Sequence, residues 1–101
     1  MKRVIKTRWI EKKAWPELFK LVKSGEKTFD LRLDDFKCKP GDILVLREWD
    51  PKRKGYTGRT LEKKVTFVFK SKEILKFWSE EEIDRYGFQV IAFKDNKKTS
   101  V

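Results

Sequence analysis

Gly25, Lys27, Asp30 and Arg32 lie close together and combine a turn-former, an ammonium, a carboxylate and a guanidinium. On an extended backbone side chains alternate between faces, so Thr28, Asp30 and Arg32 share one face while Phe29, Leu31 and Leu33 share the other. Arg32 could then grip a phosphate or a base edge through two parallel hydrogen bonds. Lys27 would add a second positive charge, and Asp30 would orient them or accept from an exocyclic amine. The plainer reading of the same spacing is a surface salt bridge between Asp30 and Arg32 with Lys27 in solvent, and spacing alone favours it. A second stretch sets Trp49 and Tyr56 among Lys52, Arg53, Lys54 and Arg59. Aromatic faces stack on unpaired bases while basic side chains hold phosphates. The plain alternative is a hairpin loop with Trp49 in the core and the lysines in water; Trp49 suits the core better and Tyr56 suits a ligand better.

Composition limits what else these groups can do. The chain has 101 residues with no histidine, which removes Ser-His-Asp and Cys-His catalysis and the common catalytic zinc sites. Any catalysis is left to lysine and carboxylate groups. A lysine acts as a base only if burial or neighbouring positive charge lowers its pKa well below about 10.4. Cys38 is the single cysteine, flanked by Lys37 and Lys39; with no partner cysteine in the chain, an incidental thiol in a reducing cytoplasm is expected. No metal site and no cofactor is expected.

Lys and Arg number 26 against 16 Asp and Glu, a net charge of +10. Such a field favours polyanions, of which nucleic acid is the commonest for a small basic domain. Charged residues make up 42% of the chain, with Gln89 and Asn96 its only side-chain amides, a balance reported for hyperthermophile proteins. Part of the lysine excess is therefore read as habitat. The basic start, Lys2, Arg3, Lys6, Arg8, Lys12 and Lys13, either extends a binding patch or protects a strand edge. No apolar run reaches the ~20 residues that span a bilayer, so a cytoplasmic protein with no membrane association, and a monomer, is expected.

The positioning elements follow from periodicity and punctuation. Residues 2–10 read as a strand. Trp15-Pro16 opens a helix whose apolar set Trp15, Leu18, Phe19 and Val22 has helical spacing, and Gly25 closes it. Residues 28–33 alternate as a strand, and Lys39-Pro40-Gly41-Asp42 reads as a type II turn. Residues 43–49 form a strand with Ile43, Val45 and Trp49 on one side and Leu44 and Leu46 on the other. A further strand spans 59–69. Ser79 and Glu82 frame a capping box for a short helix that Gly87 stops. Residues 88–93 make the last strand. Phe67, Phe69, Phe77 and Phe93 are assigned to the core. Five strands with two short helices give a mixed α/β, β-rich domain over residues 1–93, a small barrel with a polar tail at 94–101.

The motifs also resemble a known family. Gly25, Lys27, Asp30 and Arg32 match the G-x-K-x-x-E-x-R signature of ASCH domains, with Asp30 in place of Glu. The order continues through Pro40-Gly41-Asp42-Ile43-Leu44, Arg47-Glu48-Trp49-Asp50-Pro51 and Tyr56-Thr57-Gly58-Arg59. With Trp15-Pro16, the chain is similar to one small ASCH-like subfamily over roughly residues 4–93. The resemblance implies a PUA-like pseudo-barrel of about five strands whose signature residues line a cleft beside the first helix. It also implies binding of RNA, another nucleic acid or a modified nucleoside. The residues expected at that interface are Gly25, Lys27, Asp30, Arg32, Trp49, Lys52, Arg53, Tyr56 and Arg59. One ASCH branch is an amidohydrolase that deacetylates N-acetylated cytidine with a lysine, a threonine and a glutamate. Lys27 matches the lysine, Asp30 stands at the threonine position, and Glu80, Glu81 and Glu82 are rough counterparts of the glutamate. An amidohydrolase using Lys27 and Asp30 is the alternative function.

Overall fold

The computed structural model describes residues 6–74 and 77–96. Strand β1 (Trp9–Ala14) leads into helix α1 (Pro16–Ser24), followed by strands β2 (Ile43–Asp50) and β3 (Gly55–Lys64), then the short helices α2 (Ser71–Ile74) and α3 (Glu80–Tyr86). The strands form one open sheet in the order β1-β2-β3. β1 runs parallel to β2, with Trp9 opposite Ile43 and Ala14 opposite Glu48, and the crossover between them carries α1, as a parallel pair requires. β2 and β3 form an antiparallel hairpin from the Ile43–Lys64 pair to the Asp50–Gly55 pair. Chain contacts divide the molecule into two compact units, Met1–Phe69 and Lys70–Val101.

Helix α1 forms where its punctuation places it. Pro16 occupies the first turn, where its missing N–H costs nothing. Gly25 takes φ 86° and donates its N–H to the Val22 carbonyl at 3.1 Å, ending the helix. The buried face of α1 is Phe19 and Val22, which join Ala14 and Leu46 in the core while Leu44 and Leu61 pack at its margin. The type II turn is also present: Gly41 adopts φ 97°, and the Asp42 N–H donates to the Lys39 carbonyl at 3.0 Å. In the second unit, Ser79 Oγ accepts from the Glu82 N–H while the Glu82 carboxylate accepts from the Ser79 N–H, a complete capping box. Gly87 closes α3.

Among the described residues the five-strand pseudo-barrel does not form; their sheet has three strands and is open. Four expected strands fail, shrink or shift. Residues 28–33 have the alternation of a strand but no ladder; Lys27 and Arg32 each engage a neighbour two residues away. Leu31 and Leu33 stay 75% and 80% exposed, so the apolar side of that alternation meets no second layer. The strand expected at 59–69 starts earlier and stops at Lys64, and Phe67 and Phe69 lie outside the core, as do Phe77 and Phe93. Residues 88–93 are irregular and exposed. The strand expected at 2–10 instead occupies Trp9–Ala14; the part of that expectation at 2–5 lies outside the described residues, as does the part of the expected tail at 97–101.

Candidate functional site

The loop after α1 is anchored at its start, where the Lys27 N–H donates to the Leu21 carbonyl of the last helical turns at 3.0 Å. Lys27 Nζ then turns back to donate to the Phe29 carbonyl at 2.9 Å and lies 4.0 Å from Asp30 Oδ1. Asp30 receives Arg32 through Nε at 2.6 Å and Nη2 at 3.5 Å. The same Nη2 donates to the Lys13 carbonyl at 2.7 Å. These three side chains are mostly covered, so the plain ion-pair reading of Asp30 and Arg32 holds, while Lys27 is drawn into the pair instead of standing in solvent. Gly25 contributes the helix stop that aims the loop.

The Arg32–Lys13 bond has a positional meaning. In a strand the N–H and C=O of one residue point to the same side, and that side alternates along the chain. The Arg8 carbonyl accepts from the Ile43 N–H at 2.8 Å, so Lys13, five positions on, turns its carbonyl to the free edge of β1. Arg32 covers that edge. An exposed edge otherwise offers unpaired backbone groups to another chain.

The side chain of Lys13 links the second motif to the first. Its Nζ stands 3.8 Å from the Trp49 ring centroid and 5.9 Å from that of Tyr56. Trp49 and Tyr56 meet edge-on, centroids 5.0 Å apart at 80°, a preferred aromatic geometry. The Arg47 guanidinium lies 3.9 Å from the Tyr56 centroid. Register explains the grouping: Lys13 is opposite Arg47, and Trp49 is opposite Tyr56. Cation–ring contacts of this kind contribute about 0.5–1 kcal/mol each at exposed sites. Lys52 and Arg53 are placed by Asp50, whose Oδ1 accepts from their backbone N–H groups at 2.9 and 3.4 Å; their side chains are exposed.

Glu48 occupies the opposite face of β2, the face of Leu44 and Leu46, and is buried. Its Oε1 accepts from Thr57 Oγ1 and from Arg59 Nε, both at 2.7 Å. Bonding from Thr57 first, and then the Arg59 guanidinium, holds its carboxyl below the ordinary value although burial opposes them. A bulge makes the arrangement possible. Between the Arg47–Thr60 and Trp49–Tyr56 pairs, Glu48 alone faces Thr57, Gly58 and Arg59, and Gly58 takes φ 96°. The Tyr56-Thr57-Gly58-Arg59 motif is therefore largely a clamp on Glu48, and Arg59 is an ion-pair partner before it is a ligand contact. Asp42 is buried in a similar role: its carboxylate accepts from the Lys39 N–H at 2.8 Å and from Arg8 at 3.0 Å, which lowers its pKa.

The structure thus brings Lys27, Asp30 and Arg32 together, and Trp49 with Tyr56; it sets Lys13 of the basic start beside both groups and adds Arg47 and Glu48. Alternation was the signal for Arg47, which falls on the side of Trp49, whereas the place of Lys13 beside them depends on strand register. Glu48 sits at a position of β2 where alternation demands an inward side chain, and an acid there signals a buried partner. A hollow of about 320 Å³ lies elsewhere, in the second unit, lined by residues that include Trp78, Ile83 and Tyr86.

Fold and site define a small basic α/β domain whose three-stranded sheet gathers cations around two aromatic rings. The chain matches the family described as a domain of unknown function (DUF3850) over residues 11–78, and it belongs to that family. No curated protein and no solved structure matches it. Among the described residues, no helix is long and apolar enough to cross a membrane.

Proposed function

We propose that this chain binds nucleic acid, RNA foremost, or a modified nucleotide, through the basic and aromatic side chains of residues 25–32 and 47–59. The observation that carries the reading is their convergence on Lys13, whose carbonyl is held by Arg32 and whose ammonium lies over Trp49, in a chain of net charge +10. Kinship with ASCH domains belongs to the same proposal and rests on the order of the motifs. A cytoplasmic location belongs to it as well, on the strength of a chain with one cysteine.

Hydrolysis of an acylated nucleoside has less support. A general base must reach the proton it takes from substrate, whereas Lys27 Nζ is turned back onto the Phe29 carbonyl and Asp30 of its own loop. Binding is tested with a panel of RNAs by fluorescence anisotropy across a salt series. Affinity should fall as salt rises, because each phosphate contact releases counterions, and Lys13→Gln and Arg47→Gln should each reduce the salt slope by about one. No detectable binding at low salt would overturn the proposal.

A further inference from the structure

Helix α1 packs on one face of the sheet, against Ala14 and Leu46. The other face carries Trp9, Glu11 and Lys13 from β1, Ile43, Val45, Arg47 and Trp49 from β2, and Tyr56, Thr60, Glu62 and Lys64 from β3 by alternation and register. On this face every β1 and β3 side chain just named is exposed. Its charges are not evenly spread. Lys13 and Arg47 stand side by side next to the aromatic pair, while Glu11 and Glu62 flank Val45 one step along the ladder. Tyr56 is 42% exposed, with the Arg47 guanidinium against its ring.

We infer that this face takes an unpaired, single-stranded segment, one base of which stacks at Tyr56 while Arg47 and Lys13 hold the adjoining phosphates. The inference rests on the nucleic-acid reading and deepens it by naming the ligand class. Three features carry it. A ring reaches an unpaired base by stacking but cannot reach a base inside a duplex. The Arg47 guanidinium lies over the Tyr56 ring, so an incoming base takes the ring surface that Arg47 leaves exposed or displaces the guanidinium toward its own phosphate. The Glu11–Glu62 row repels phosphates and separates the paired cations Lys13 and Arg47 from the lone Lys64 opposite Ile43, so the bound segment lies at the Lys13–Arg47 end of the face.

The test compares a fluorescein-labelled single-stranded RNA with the same sequence as a duplex, by anisotropy at fixed low salt. The single strand should bind about tenfold more tightly or better, and Tyr56→Ala should remove most of that preference. Tyr56→Phe, which keeps the ring, should retain it, and circular dichroism of both variants checks the fold. Glu62→Lys should raise affinity for the single strand several-fold by opening the acidic row. Equal affinity for both probes, unchanged in Tyr56→Ala, would overturn the inference while leaving nucleic-acid binding intact. No binding of either probe would overturn the underlying reading and the inference with it.

Discussion

Two arginine–carboxylate pairs, nearly equal in length, occupy this molecule in different surroundings. Asp30 and Arg32 approach to 2.6 Å within a loop, with side chains 19% and 28% exposed. Glu48 and Arg59 approach to 2.7 Å across a hairpin, the carboxylate 3% exposed and the guanidinium 65%. The loop pair is local in sequence and its arginine has work beyond the pair, covering the β1 edge at Lys13. The hairpin pair buries one charge, and that charge depends on the partners Thr57 and Arg59. Distance alone does not rank such pairs. What matters is how much water the carboxylate has lost and what remains bonded to it when one partner goes.

The largest test of this contrast is truncation of each acid. Glu48→Ala leaves a hole beside Leu46 and frees Thr57 and Arg59, and is expected to cost about 2–3 kcal/mol of stability. Asp30→Ala, in a pair still reached by water, should cost less than about 1 kcal/mol. Urea unfolding of both variants measures the difference. Equal losses would mean that the burial of Glu48 has no energetic consequence.

Acid provides a second and smaller separation. The Glu48 carboxyl sits below its ordinary value of 4.5, so the folded state binds its proton later than the unfolded chain does. The stability it contributes is complete above about pH 4.5 and is lost as pH falls through the lowered value. Asp42, lowered from 3.8 by the Lys39 N–H and Arg8, adds to the loss at the same acidic end. Wild-type stability should therefore fall on acidification below about pH 4.5, and Glu48→Gln should fall less steeply while Asp42 still contributes. A variant curve parallel to the wild type would assign the acid sensitivity to other carboxylates.

The same contrast explains what the sequence made legible. Helix α1, the Pro40-Gly41 turn and the Ser79 capping box are written in residues a few positions apart, where backbone and side-chain chemistry act locally. The Asp30–Arg32 pair was legible for the same reason. The Lys13–Trp49 contact and the Glu48–Arg59 clamp depend on strand register, which no short window contains. The barrel was over-read from alternation. Phe29, Leu31 and Leu33 alternate as a strand would, yet a strand needs a ladder partner and a layer to bury its apolar side, and Leu31 and Leu33 have neither.

Glycine substitution gives the smallest and most selective test. Gly25 and Gly58 both hold positive φ, and a Cβ added at either meets nothing within 4 Å. Alanine at each position therefore brings conformational strain alone, about 1 kcal/mol. The two differ in what the turn serves. Gly25 ends a helix, whereas Gly58 shapes the bulge that aims Thr57 and Arg59 at Glu48. Gly25→Ala should then add independently to Glu48→Ala. Gly58→Ala should cost less in the Glu48→Ala background than in the wild type, because the clamp it disturbs is already gone, and a double-mutant cycle should show a coupling of at least about 0.5 kcal/mol. If Gly58 and Glu48 prove as additive as Gly25 and Glu48, the bulge is only a way of turning the strand, and the buried acid finds its partners without it.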